Sequence, residues 1–432
     1  MTETLPRDMA PSPAASGPAG LTTVRGAALY IGALLGPGLL LLPGLAAAEA
    51  GPASVLAWAG LLVLSGLFAV VFGSLGRGFP SAGGVIGYVR AGLGARASAI
   101  AGWSFLAGVI AGAPVVCLIG AGYVTELTGG GRLSRALVAA VLLLVVLALA
   151  AGGLRASAAA QLLLVTLLIA VVVIAVAGAA SESRAANWTP FAPHGWQAVG
   201  HAAATLMLSF VGWEAVAPLT TRFTSPSRQL PRVIGSALAV TSVLYLGLAV
   251  ATIGVLGAAA GTSAPLAALL RDAAGPGGTA AAAIAAVVLT LGAVNAYVTG
   301  AAAMAVELAR PGDARSGARR STRPAPQFIA GIAGSGLALI SLYGLGLASP
   351  AGLVAIPTTL FLVVYLGCMA AAVRVLRGAA RLAAVPATVI VAVVLAYCGW
   401  ALLAPLAVAL AVCSARPLIA AVGAIRKRHV SR

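Results

Sequence analysis

The sequence predicts an all-α polytopic membrane protein of twelve transmembrane helices. Three observations predict it: the composition, the distribution of arginines, and two interrupted helices five spans apart. Of 432 residues, 61% are hydrophobic and 8% charged, whereas a soluble domain carries about 25% charge. A helix crossing a hydrocarbon core of about 30 Å needs about 20 apolar residues. That composition excludes a cytosolic enzyme. The four cysteines, Cys117, Cys368, Cys398 and Cys413, lie far apart in apolar runs, without CxxC or metal-ligand spacing. This excludes a disulfide-stapled secreted domain and reads them as packing residues. The net charge of +17 has no soluble domain on which to form a basic face, so the expected partner is the lipid bilayer and not nucleic acid. No cofactor and no metal are expected.

Residues 1–23 are acid-poor and rich in Pro, Ala and Ser, and read as a disordered cytoplasmic tail. The apolar stretch from Val24 to Leu45 is too long for a secretory signal and lacks the small-residue cleavage pattern, so it is a retained first span. Cutting at Gly, Pro and Arg clusters places spans at 24–48, 53–75, 98–126, 134–152, 157–180, 197–220, 233–257, 279–308, 327–347, 350–373, 383–402 and 404–424. The last pair divides at Ala401 to Pro405. Residues 425–432 form a basic cytoplasmic tail.

The arginines test that count, because cytoplasmic loops carry the excess of positive charge and an error of one span would scramble their alternation. They alternate cleanly. Arg7 and Arg25 precede span 1; Arg77, Arg90 and Arg96 follow span 2; Arg155 follows span 4; Arg222, Arg228 and Arg232 follow span 6. Arg310, Arg315, Arg319, Arg320 and Arg323 follow span 8, and Arg374, Arg377 and Arg381 follow span 10. Arg416, Arg426, Lys427, Arg428 and Arg432 close the chain, while only Arg132, Arg135, Arg184 and Arg271 lie on the other side. Twenty-two of the 26 basic residues thus share one face. Both termini are expected in the cytoplasm, and the membrane is expected to be the cytoplasmic one.

Span 1 contains Gly32 and then Leu35-Gly36-Pro37-Gly38, two glycines flanking a proline near mid-span. Pro37 removes an amide and crowds the preceding turn, yet suits the first position of a new half-helix. That half-helix would aim its first amides, those of Gly38 and Leu39, at the midplane. Unpaired backbone groups at that depth are tolerated where they line a cavity, and a helix N-terminus favours an anion such as a carboxylate. The competing reading is a proline kink satisfied by neighbouring helices.

Span 6 contains Ser209-Phe210-Val211-Gly212-Trp213-Glu214. Glu214 is the one acid placed deep in a span; Glu3, Asp8, Glu49, Glu126, Glu182, Asp272, Glu307 and Asp313 sit in tails, loops or span ends. An intramembrane carboxylate is costly, which marks it as a proton carrier, a gate or a partner of a substrate ammonium. The alternative is a protonated Glu bonded to a neighbouring helix. Interruptions in spans 1 and 6 are what a five-plus-five inverted repeat produces, with 24–180 as the first copy, 181–374 as the second, and 375–424 as two added spans. Amides of span 1 and carbonyls of span 6 would then suit a zwitterion.

Three stretches resemble the amino acid, polyamine and organocation permeases. Leu35-Gly36-Pro37-Gly38-Leu39 with Pro43-Gly44 is similar to that family's break in helix 1. Phe79-Pro80-Ser81-Ala82-Gly83-Gly84-Val85-Ile86-Gly87-Tyr88-Val89, then Leu93-Gly94 and Gly102-Trp103, resembles its cytoplasmic loop and the start of helix 3. Phe210-Val211-Gly212-Trp213-Glu214-Ala215 with Pro226, Arg228, Pro231 and Arg232 resembles helix 6 and the loop after it, and Asn295-Ala296-Tyr297 is a weaker match in span 8. Around helix 6 the spacing is most similar to the bacterial branch exporting methionine and branched-chain amino acids.

The resemblance implies a LeuT-like fold of two inverted five-helix repeats with broken helices 1 and 6, working by alternating access as a secondary transporter or antiporter. It puts Gly36, Pro37 and Gly38 at the substrate carboxylate, Phe210 and Val211 at the ammonium and side chain, and Glu214 at the proton-sensing position. Gly32, Leu35, Leu208, Ser209, Gly212, Ile110 and Asn295 complete the candidate substrate site. A proton is the candidate coupling ion. Two departures stand out: Pro37 occupies a position where members often have Ser or Thr, and Val165-Thr166-Leu167-Leu168 lacks the helix 5 lysine of many proton-coupled members.

Ile110, Ala111, Ala113 and Cys117 on span 3, with Leu208 and Val211 on span 6, would make apolar or small walls, and a second acid for a cationic side chain is missing. A neutral, apolar amino acid is therefore expected ahead of a cationic one. Asn295 and Tyr297 are candidate hydrogen-bonding groups, interhelical glue being the alternative for Asn295. His194 and His201 flank the outer start of span 6 and are expected to face water. An intramembrane enzyme would need a nucleophile with a base, or paired carboxylates at depth, which Glu214 alone does not supply. A passive channel is the remaining alternative, disfavoured by broken helices in an inverted repeat.

Overall fold

The computed structural model describes residues 22–36, 38–79, 84–153, 158–215, 223, 225–309 and 324–414, and no strand occurs among them. Span 1 is two helices, α1 (Thr23–Leu34) and α2 (Gly38–Ala50), the first capped by the Thr22 side chain. Then come α3 (Ser54–Gly78), α4 (Val85–Thr128), α5 (Arg132–Ala151) and α6 (Ala158–Ala179). The short α7 (Gln197–Leu206) precedes α8 (Pro226–Leu256) and α9 (Pro265–Ala309). Helices α10 (Pro326–Gly344), α11 (Pro350–Val375), α12 (Gly378–Ala396) and α13 (Gly399–Ser414) close the described chain. Among the described residues, nine helical stretches are long and apolar enough to cross a membrane. The expected spans outside that set are 1 and 6, which are interrupted, and 12, whose end lies beyond Ser414.

The outer surface of the bundle is apolar. On α5, Leu133, Leu137, Val141 and Leu144 are exposed while Ala136, Ala139, Leu143, Val146 and Leu147 are buried. A helix apolar on both faces has no water-facing side, as a membrane span requires. Inside, α4 runs through the bundle against α11, α9 and α5. Small residues permit close approach: Gly92 lies against Ala371, Gly120 against Thr290, and Gly336 against Leu143.

Two helices are longer than expected, for the same reason. α4 begins at Val85 and bends at Gly94 (φ 85°), and α9 begins at Pro265 and bends at Gly275 (φ 64°). The segments before the bends were expected to be loops. They are helical because each has residues to bury: Val85, Ile86, Tyr88 and Val89 in one, Leu266, Ala267, Leu269 and Leu270 in the other. The turn between the last two helices falls at Tyr397–Gly399, with Gly399 at φ 54°, earlier than the expected Ala401–Pro405. Cys117 and Cys368 are buried packing residues as expected, but Cys413 is exposed.

Loops sort into two groups by contact. At one end, Asn187 lies against Gly257, Thr262 against Gly44, Arg135 bonds to Ser263, and Arg132 reaches Gly346. At the other, Gly92 packs on Ala371, Arg374 bonds to the Gly92 carbonyl, and Gly26 packs on Phe223 and Val233. The first group joins loops after spans 3, 5, 7 and 9 to α2; the second joins segments bordering spans 1, 2, 6, 7 and 10.

Candidate functional site

The two interruptions meet. α1 stops where Leu35 leaves helical geometry (φ −77°, ψ 66°). The Gly36 amide then turns back to the Leu34 carbonyl at 2.8 Å, and the Leu39 amide donates to the Gly36 carbonyl at 3.1 Å. The expectation that the Leu39 amide would be available is therefore corrected: the Gly36 carbonyl engages it. Pro37 itself lies outside the described residues.

On the other strand of the crossing, α7 tightens into a 3-10 turn, Met207–Phe210, and Val211 is extended at φ −75° and ψ 135°. Gly212 follows at φ +139°. A Cβ there would lie 2.4 Å from the Ala33 carbonyl oxygen. Backbone geometry and space both demand glycine, since this is where the break of span 6 crosses the end of α1.

Ending two helices at mid-bundle leaves carbonyls that need donors. Tyr245 of α8 supplies them. Its hydroxyl lies 2.6 Å from the Leu34 carbonyl and 2.7 Å from the Ser209 carbonyl, so one proton is shared between the two broken ends. Trp58 packs on Tyr245 and Phe210 with ring centroids 5.1 and 5.8 Å apart, and Phe210 meets Tyr245 edge-on at 5.3 Å. Tyr123 of α4 similarly donates to the Leu40 carbonyl at 2.6 Å, beside the interruption that Pro43 makes in the hydrogen bonding of α2.

Glu214 is tied to the same crossing. Its Oε2 accepts from the Gly212 amide at 2.9 Å and from the Tyr365 hydroxyl of α11. The Tyr365 oxygen in turn accepts the Gly212 and Trp213 amides at 2.9 and 3.1 Å, and Trp213 Nε1 donates to Ser65 Oγ at 2.8 Å. Carboxylate, tyrosine and backbone turn thus form one hydrogen-bonded unit, in which Glu214 acts as acceptor.

Two features leave room for a ligand beside the knot. The Ser209 hydroxyl is buried without a partner, and a Cβ on Gly38 would sit 3.0 Å from it. A Cβ on Gly36 would meet nothing within 4 Å. A polar group, open space and the N-terminus of α2 therefore coincide, and such an end favours an anion.

Of the residues the sequence singles out, the structure brings together Leu35, Gly36, Gly38, Ser209, Phe210, Val211, Gly212 and Glu214. Gly32 lies in the last turn of α1, and Leu208 is partly buried in the 3-10 turn. Ile110 is partly buried on α4, and Asn295 is buried on α9, where its carbonyl accepts from Thr299. Sequence reasoning missed Tyr245, Tyr365, Trp58 and Ser65. The available signal was a tyrosine in mid-span, whose hydroxyl must find a partner once buried. His201 is exposed and edge-on to Tyr397, and a His194 ring nitrogen is 2.9 Å from the Glu49 carbonyl.

A family profile described as amino acid permease matches residues 21–422. The chain is 32% identical over 400 residues to the uncharacterized amino acid permease YecA of Bacillus subtilis, covering 90% of this chain and 94% of that protein. It is 30% identical over 387 residues to the L-methionine/branched-chain amino acid exporter YjeH of Escherichia coli, covering 88% and 92%. A shorter match, 33% identical over 100 residues, covers 23% of this chain and 22% of the branched-chain amino acid permease BcaP of Bacillus subtilis.

Proposed function

We propose, since the chain belongs to the amino acid permease family, that it is a secondary active transporter carrying a neutral, apolar amino acid of the Met/Leu/Ile/Val type between the breaks of spans 1 and 6. Family membership makes it a membrane transporter of amino acids and not an enzyme. The observation that carries the finer reading is the shared Tyr245 hydroxyl, which holds the ends of α1 and the span 6 break against one another. Beside it, the start of α2 and the Ser209 hydroxyl offer a carboxylate its partners, while Phe210 and Val211 offer an apolar wall. The methionine and branched-chain amino acids of the exporter from Escherichia coli agree with that wall.

Twelve crossings in two inverted five-helix repeats are supported by the segregation of loop contacts and by matched interruptions. Besides the breaks in spans 1 and 6, the bends at Gly94 and Gly275 fall before spans 3 and 8, again five apart. With basic loops in the cytoplasm, both termini face inward across the cytoplasmic membrane. Glu214 is the proton-sensing group: its carboxylate accepts from the Gly212 amide and the Tyr365 hydroxyl, so a change in its charge alters the strength of the bonds that hold the Gly212–Trp213 turn.

The test is counterflow of radiolabelled amino acids in proteoliposomes across a panel of neutral, cationic and acidic substrates. Exchange confined to methionine, leucine, isoleucine and valine supports the reading. Preference for lysine or arginine would replace it with the cationic alternative.

A further inference from the structure

The strongest unassigned feature is a guanidinium without a counter-ion in the wall of a small cavity. Arg135 of α5 donates from Nη2 to Ser263 Oγ at 2.6 Å and from Nη1 to the Tyr343 hydroxyl at 3.3 Å. A Cβ on Gly122 would come within 2.9 Å of Nη2, so that glycine makes the space in which the guanidinium lies. Among the described residues no carboxylate pairs with Arg135; Glu126 is paired with Arg271. Arg132, one turn earlier on α5, adds a second positive charge over the Tyr343 ring at 5.8 Å. Both arginines stand in the first turns of the helix, where its dipole disfavours cations. The Arg135 charge is therefore uncompensated beside Leu41, Val115 and Leu353, a cost that an anion removes.

The two hydroxyls narrow the identity of that anion. Each uses its oxygen to accept from the guanidinium, so the proton of each is directed elsewhere. Among the described residues no acceptor takes either proton, and Tyr343 is buried. Guanidinium, serine and tyrosine thus bring N–H and O–H donors to one cavity that all three line.

That cavity measures about 20 Å³, where one water needs about 10–15 Å³. It takes a single particle of about that size, and a phosphate, a sulfate or a whole amino acid is too large for it. A water fits the space but leaves the charge unpaired. A monatomic anion meets the size, the charge and the donor set together.

We propose that Arg135, Ser263 and Tyr343 form a chloride site that ties α5, the connection between α8 and α9, and α10 together. The inference stands apart from the choice of transported substrate. Thermal unfolding of the purified full chain in detergent, with sodium chloride exchanged for sodium gluconate at constant ionic strength, tests it, because an ion held by the folded state raises the melting temperature saturably. Chloride and bromide should raise it with a defined half-saturation, and sulfate should not. Arg135→Gln should abolish the rise. Tyr343→Phe and Ser263→Ala each remove one O–H donor and keep the arginine, so each should move half-saturation to about tenfold higher chloride or beyond. These two variants carry the test if Arg135→Gln fails to fold. Equal melting of the native chain in chloride and gluconate overturns the site and leaves water in the cavity. The same half-saturation in the native chain and both hydroxyl variants overturns it too, as does an equal rise with sulfate, which would be a general effect of salt.

Discussion

Glu214 and Gly212 are tied together by the hydrogen bond from the Gly212 amide to the Glu214 Oε2. Gly212 combines φ +139° with a Cβ position 2.4 Å from the Ala33 oxygen. Gly212→Ala should therefore abolish transport, as a strained backbone costs about 1–3 kcal/mol before the clash is counted, and counterflow of folded protein checks it. Tyr245→Phe removes the one donor shared by two broken helix ends. Leaving a buried carbonyl unsatisfied costs about 1–3 kcal/mol, so thermal unfolding in detergent should fall by a few degrees, with transport reduced. Glu214→Gln keeps an acceptor oxygen but cannot ionise. Leucine uptake by this variant should lose the pH dependence of the native protein between about pH 5 and 8, while substrate still binds. An unchanged profile in normally folded protein would remove the proton role. Glu214 was legible in the sequence as the lone deep acid; its partner Tyr365 was not, because 151 residues separate them and nothing local in α11 announces the contact.

At the scale of elements, the broken helices meet at the candidate site, and each break is written in local chemistry. Gly36-Pro37-Gly38 and Gly212 were readable because glycine and proline act on the backbone where they stand. The helical segments ahead of Gly94 and Gly275 were not, because short amphipathic stretches look like loops until neighbours bury their apolar side chains. The fate of the Leu39 amide was equally hidden, being set by its bond to the Gly36 carbonyl. α2 offers the sharpest test of its own role. Gly38→Val should abolish substrate binding while membrane insertion and expression persist, since even a methyl group there presses on Ser209. Scintillation proximity binding on monodisperse protein reads the outcome, and unchanged affinity would remove the anion site from the start of α2.

At the scale of the whole molecule, helices that are apolar outside and glycine-rich inside, with loops sorted to two ends, make a membrane bundle with its interruptions at the centre. Composition made the membrane bundle legible early, because it follows from the bilayer and not from tertiary contacts, and the arginine alternation assigns its expected faces. The alternation also predicts that reporter fusions after Ala259 and after Gly317 lie on opposite faces, the second in the cytoplasm; the same face for both would break the twelve-span assignment. The central claim is that an apolar amino acid lies between the two breaks. Gly36 is the place to ask, because a side chain added there meets nothing within 4 Å. With Cys117, Cys368, Cys398 and Cys413 replaced and Gly36→Cys introduced, the measurement is the rate of alkylation by a small maleimide in proteoliposomes that exchange leucine. Saturating leucine should slow alkylation at least tenfold, with half-protection at the concentration that half-saturates exchange. Equal rates with and without leucine, in protein that still exchanges it, would place the substrate elsewhere.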